Sequence, residues 1–215
     1  MKKTLCCILL LAALGMAPAD LLADQVIFFD NFASGPSSYW QPKKGNWVAS
    51  GGVYYDANPV VYPNPSEWTY LNLPQTLTDF TVSVDINMIS DGGLMLRCDE
   101  NSQNYVVLIT GGFDHKGTGL YWHKIKDGYN DSVVYSPVSD LFVNGVSNAK
   151  ITVKVQGTTY SAYVNDNPTP VTTFTWDGVA SGKFGLYSWS GQTFDNVKIS
   201  IPGSSLPPIS MLLLE

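Results

Sequence analysis

Phe80-Thr81-Val82-Ser83-Val84-Asp85-Ile86-Asn87-Met88 alternates apolar and polar side chains without a break. A strand sends successive side chains to opposite faces, so this run specifies one face for a core and one for water. Asp91-Gly92-Gly93 supplies a turn, and the chain resumes with Leu94, Leu96 and Cys98 on one side of the pattern and Met95 and Arg97 on the other. Working outward, turn residues at Asn101-Ser102 and Gly111-Gly112 bracket apolar runs at 105–109 and 120–125. Later, Ile151, Val153 and Val155 alternate with Thr152 and Lys154, and Gly157 turns the chain into Tyr160, Ala162 and Val164. The last strands fall at 184–187 and at Val197, Ile199 and Ile201. This reading predicts roughly a dozen strands, with a turn of helix only near 139–143. No helix-length segment separates the strands and no repeat of about 20 to 50 residues occurs, which argues against parallel α/β folds, propellers and solenoids. An all-β, two-sheet antiparallel sandwich remains.

Phe-Asp-Asn occurs at Phe29-Asp30-Asn31 and again at Phe194-Asp195-Asn196. The repeat predicts that the first and last strands lie side by side and turn with the same local chemistry.

The ends have a different composition. Met1-Lys2-Lys3, an apolar run to Met16 and small residues at Ala17-Pro18-Ala19 and Leu22-Ala23 read as a secretory signal peptide, with cleavage expected after Ala23. The apolar run is well short of the ~20 residues that span a bilayer. Cys6 and Cys7 would leave with this segment, so Cys98 alone remains and stability must come from a core. The organisation expected is a signal peptide at 1–23, a sandwich domain at 24–202, and a Pro/Ser-rich linker with a short apolar tail at 203–215. Pro202-Gly203-Ser204-Ser205-Leu206-Pro207-Pro208 resembles the start of a bacterial Pro-Glu-Pro sorting tail, but Pro-Pro-Ile stands in place of Pro-Glu-Pro and no basic cluster follows.

The whole chain carries 12 Lys+Arg against 18 Asp+Glu, a net charge of −6. Nucleic acid and anionic membranes both require a basic patch, so neither is an expected partner. Six Trp and twelve Tyr suit an extracellular protein that meets neutral polymers.

Several stretches together carry a family likeness. They are Phe29-Asp30-Asn31-Phe32, Tyr39-Trp40, Gly45-Asn46-Trp47-Val48, Gly52-Val53-Tyr54, Asp79-Phe80-Thr81-Val82, Gly92-Gly93-Leu94-Met95-Leu96-Arg97 with Asn104-Tyr105, Tyr163-Val164-Asn165, and Gly182-Lys183-Phe184-Gly185-Leu186-Tyr187 before Phe194-Asp195-Asn196-Val197. In order and spacing over about residues 26 to 201 they resemble the concanavalin A-like lectin/glucanase jelly roll in its laminin-G-like form. The resemblance implies a jelly-roll sandwich. It implies one of several roles: polysaccharide hydrolase, non-catalytic sugar-binding module, keto-disaccharide-type hydrolase, or adhesive matrix protein.

Hydrolysis by the jelly-roll glucanases needs two Glu on one strand, and the only Glu residues are Glu67, Glu100 and Glu215. Asp85 has Ser83 and Asn87 as its same-face neighbours, and Asp99-Glu100 read as a solvated turn. No Gly-x-Ser-x-Gly elbow occurs, Cys98 reads as core, and His115 and His123 lack a third zinc ligand.

Binding is therefore the expected function, of a polysaccharide or oligosaccharide on an outer sheet face. Arg97, the only arginine, alternates away from Leu94 and Leu96 and is expected on that outer surface, where its planar fork suits hydroxyls or a carboxylate; the competing reading pairs it with Asp99 or Glu100. The resemblance places the equivalent arginine in the concave sheet. Sugar rings present C–H faces that pack on aromatic side chains, so Tyr105, Tyr121, His123 and Trp189 join the candidates, with Asp114 as a hydroxyl acceptor. Trp47 and Trp176 are expected to pack. Asp30 and Asp195 are candidates for a structural calcium, the one cofactor considered. A glycan is the expected partner and a monomer the expected state.

Overall fold

The computed structural model describes residues 23–59, 67–101, 103–111, 119–130 and 133–203. Residues 1–22, which hold most of the expected signal peptide, the tail from Ser204, and Asp114 and His115 lie outside the described residues.

Sixteen strands follow one another among the described residues. The first six are β1 (Gln25–Asp30), β2 (Trp40–Lys44), β3 (Trp47–Ser50), β4 (Val53–Asp56), β5 (Glu67–Leu71) and β6 (Phe80–Asn87). The middle five are β7 (Gly92–Cys98), β8 (Tyr105–Thr110), β9 (Leu120–Lys126), β10 (Tyr129–Asn130) and β11 (Tyr135–Val138). The last five are β12 (Ala149–Gln156), β13 (Thr159–Val164), β14 (Thr172–Thr175), β15 (Lys183–Ser188) and β16 (Thr193–Ile201). Sheet I has the order β14-β13-β12-β6-β16-β4-β3, with β1 also on β16; sheet II has the order β10-β9-β8-β7-β15-β5-β2, with β11 also on β9. Every pairing between these strands is antiparallel among the described residues. The fold is the all-β, two-sheet antiparallel sandwich that the sequence pattern predicts, in the jelly-roll form that the family likeness implies.

The core lies between the sheets and follows from the alternation. Val82, Val84 and Ile86 of β6, Ile151, Val153 and Val155 of β12, and Leu94, Leu96, Val106, Leu108, Leu120 and Trp122 of sheet II form one continuous buried cluster. Each such aliphatic side chain contributes about 1.5–3 kcal/mol on full burial. The likeness-bearing residues near the N-terminus build an aromatic cluster inside it. Tyr54 stacks on Phe32 at 5.0 Å between ring centres and touches Trp40 at 5.3 Å and Trp47 at 5.2 Å. Trp47 is buried and Trp176 packs against the same cluster from its edge, the packing role predicted for both.

The first and last strands pair, with Gln25 opposite Ile201 and Asp30 opposite Val197. The local chemistry of the two Phe-Asp-Asn copies differs, however. Asp30 ends β1 and its carboxylate accepts from the backbone N–H groups of Phe32 and Ser37 and from Trp40 Nε1–H, so it organises the following loop. Asp195 and Asn196 lie inside β16 at a bulge, with Asn196 at φ 48°.

Three further expectations change. Met88 is exposed because β6 ends at Asn87 and Met88 takes a left-handed conformation, φ 53°. No helix forms at 139–143, which is loop leading into a turn closed by Ser147 N–H on the Val143 carbonyl. The third change concerns β7. Opposite β15, Cys98 pairs with Lys183 and Met95 with Gly185, so β7 carries one extra residue there, and Arg97 sits at φ 53°. A bulge of this kind resets which face each later side chain takes. Arg97 therefore turns inward and Cys98 outward, the reverse of simple alternation from Leu94 and Leu96.

Candidate functional site

The outer face of sheet II is apolar where a sandwich face is usually polar. β7 is buried at every position, and Met95, Cys98, Val107, Ile109 and Tyr121 form a second buried cluster on its outer side. The strand registers set these side chains in rows across the sheet. Trp68, Tyr187, Gly93, Ile109 and Tyr121 make one row, and Tyr70, Gly185, Met95, Val107 and His123 the next. Cys98 belongs to this outer cluster, where its thiol is fully buried, so its expected place on the Leu94–Leu96 side is corrected.

Above this floor lies a groove of ≈ 480 Å³. Tyr105, Tyr121, His123 and Trp189 all line it, so four of the side chains singled out from sequence converge there. Trp122, between Tyr121 and His123, points into the core, which is why the other two point out. Tyr121 and His123 form the deep part at 8% and 6% exposure, with their rings edge to face 5.2 Å apart. The Val133 carbonyl fixes the imidazole by accepting from Nδ1–H at 2.7 Å. Tyr187 and Trp189 are half-buried with ring centres 6.4 Å apart, and Tyr129 on β10 is 78% exposed at the mouth.

Sequence reading did not single out Asp91, Tyr129 or Tyr187. The period of two held the signal for two of them. Asp91 lies two residues before Gly93 and four before Met95, and Tyr187 two residues before Trp189, all toward the same face. Asp91 is the one carboxylate among the described lining residues. Burial pushes it up to about 6. Burial also raises the phenol of Tyr105, with the neighbouring Cys98 and Asp99 acting in the same direction.

Arg97 does not reach this surface. At 2% exposure it lies between the sheets, donating from Nε and Nη2 to the Thr78 carbonyl and from Nη1 to the Val179 carbonyl and Tyr160 Oη. Asp79 is its ion partner at 3.3 Å, in place of Asp99 or Glu100. The bulge in β7 is the physical reason for the correction. Asp99 caps the turn after β7, accepting from the backbone N–H groups of Asn101, Gln103 and Asn104. Exposed Glu100 pairs with Lys183.

The carboxylates of Asp30 and Asp195 have separate partners. Asp30 faces three N–H donors, surroundings that suit an anion rather than a cation ligand. Asp195 lies directly opposite Asp85 on β6, and Asn196 Nδ2 donates to both of those carboxylates, at 2.8 Å to Asp85 and 3.3 Å to Asp195. Among the described residues no three His, Cys, Asp or Glu side chains gather to hold a metal. The Asp85–Asp195 pair lines a shallow depression on the outer face of sheet I with Asn87, Asn148, Lys150 and Asn165. Cross-strand register created this pair, and the sequence alone did not reveal it.

An all-β sandwich with an aromatic groove on one outer face defines the class of protein. Comparison with solved structures agrees on the fold. The chain is similar to the carbohydrate-binding module CBM66 from Bacillus subtilis, at TM-score 0.60 and 19% identity over 76% of this chain and 96% of that one. It is similar to a Bacillus licheniformis beta-glucanase at TM-score 0.58 and 14% identity, over 82% and 98%. It is also similar to SCLam, a non-specific endo-beta-1,3(4)-glucanase from family GH16, at TM-score 0.60 and 9% identity, over 87% and 94%. No protein family and no curated protein matches the sequence.

Proposed function

We propose that this chain is a secreted, non-catalytic carbohydrate-binding domain that holds a glycan in the groove on the outer face of sheet II. The observation that carries this reading is the gathering of Tyr105, Tyr121, Tyr129, Tyr187 and Trp189 around one open groove. Rings presented in this way stack on the C–H faces of sugars, and polar groups at the margin fix orientation. The similarity in fold to both a carbohydrate-binding module and glucanases supports a glycan partner. Support for binding without cleavage comes from the carboxylate inventory, because a retaining glycosidase needs two carboxyl groups across the scissile bond and the described lining offers Asp91 alone. Secretion, with residues 1–23 removed, rests on the Lys2-Lys3 start, the apolar run and the small residues ending at Ala23.

The test is affinity electrophoresis of residues 24–203 through laminarin, levan, xylan and hydroxyethylcellulose, with the same mixtures assayed for released sugar. Retardation by a neutral polymer, lost in Tyr187→Ala and Trp189→Ala and without released sugar, is the expected result. No retardation by any polymer would overturn the reading in favour of an adhesive matrix role. One observation favours a hydrolase as second reading: the Asp85–Asp195 carboxylate pair on the other sheet. It predicts sugar release abolished by Asp85→Asn or Asp195→Asn and untouched by the groove variants.

A further inference from the structure

One end of the groove holds unpaired hydrogen-bonding groups of opposite kind. The Trp189 backbone N–H donates to the Asp91 carbonyl at 3.1 Å, which sets these two residues side by side where β15 and β7 meet the rim. Their side chains are uncommitted. Among the described residues the Asp91 carboxyl has no hydrogen bond or ion pair, and the buried Trp189 Nε1–H has no acceptor. Such groups are costly to leave unmade, and most buried polar atoms find partners. Gln192, fully buried, has its Oε1 held by Ser90 N–H and Thr110 Oγ1, while its Nε2 also lacks a partner among the described residues. Among the described residues no lysine or arginine lines the groove to act as counter-charge to this carboxylate.

An unpaired acceptor that bears negative charge, beside an unpaired donor and between aromatic rings, matches a group that can both donate and accept. A sugar diol does so, with one hydroxyl giving its proton to the carboxylate and its neighbour accepting from the indole. A carboxylate or sulfate on the sugar would instead meet Asp91 as a like charge in a partly desolvated site. Resting on the groove reading above, we propose that Asp91 is the specificity-determining residue of the site, selecting glycans with neutral vicinal hydroxyls and rejecting anionic ones. The rejection depends on ionised Asp91, and burial brings that ionisation near pH 6. The other titratable groups lining the groove are Tyr105 on β8, Tyr121 and His123 on β9, Tyr129 on β10 and Tyr187 on β15. Asp91→Asn, which keeps the side chain's size and its backbone bond to Trp189, isolates the effect of Asp91 from theirs.

The experiment compares laminarin, levan, xylan and hydroxyethylcellulose with the carboxymethylated form of each backbone, by affinity electrophoresis of the wild type and Asp91→Asn at pH 5 and pH 8. For a polymer that the wild type retains, carboxymethylation is expected to weaken retention at least ~5-fold at pH 8 and less at pH 5. In Asp91→Asn that discrimination should vanish at both pH values, and retention of the neutral form should fall about tenfold at pH 8 through loss of a charge-assisted bond. Equal retention of neutral and carboxymethylated forms by the wild type overturns the proposal. So does an Asp91→Asn variant that behaves as the wild type while Tyr187→Ala and Trp189→Ala lose binding, an outcome that leaves the groove itself standing. Failure of every polymer with every variant removes the groove reading, and this inference with it.

Discussion

At Arg97 a single backbone conformation decides whether the only arginine serves the surface or the interior. Its guanidinium joins the carbonyls of Thr78 and Val179 to Tyr160, with the cation 5.4 Å from the Tyr160 ring centre. Arg97→Ala would leave two carbonyls and a phenol without their donor, and is expected to lower unfolding stability by about 3 kcal/mol in urea melts. A change within about 0.5 kcal/mol would contradict the pinning role. Asp91 behaves differently, because burial without a partner raises it from 3.8 to about 6. The folded protein then holds this proton to higher pH than the unfolded chain does. Its stabilising contribution is therefore present below the unfolded value and is lost as pH rises through about 6. Asp91→Asn is expected to melt with the wild type at pH 4 and above it at pH 8. A variant less stable than the wild type at pH 8 would assign Asp91 a structural partner.

Among the strands, β6 and β12 were legible from sequence because an unbroken period of two meets no bulge in them. β7 was legible as a strand, but its faces were not, since the extra residue opposite β15 inverts the pattern after Leu96. Nothing local in Leu96-Arg97-Cys98 announces a bulge. It appears only when β15 is laid alongside. The same limit hid the Asp85–Asp195 pair, whose members are distant in sequence and meet through the β6–β16 register. Tyr121 and His123 share one outer face because Tyr121-Trp122-His123 must divide its rings between the faces whatever the partner strand. β1 illustrates a further dependence. Its end is held by the Asp30 carboxylate, with Trp40 Nε1–H at 3.0 Å. Asp30→Ala is expected to cost about 2 kcal/mol by orphaning these donors. The loss should be equal in calcium and in chelator when followed by thermal melting. A loss seen only with calcium present would assign Asp30 a metal role.

Over the whole molecule the two outer faces are unlike. Sheet I carries Lys150, Thr152, Lys154 and Lys198 outward, the solvated surface expected of a sandwich. Sheet II carries Met95, Val107, Ile109 and Tyr121 outward beneath a groove rimmed by aromatic rings. Folding alone needs one apolar face per sheet, so the second apolar face of sheet II points to a binding partner. The measurement that tests this most directly is hydroxyl-radical footprinting of residues 24–203 with and without a saturating amount of the polysaccharide that retards it. The account predicts protection of Tyr129, Tyr187 and Trp189 and unchanged labelling of Tyr55 and Tyr163 on sheet I. Protection of the sheet I tyrosines with Tyr129, Tyr187 and Trp189 labelled as before would contradict it.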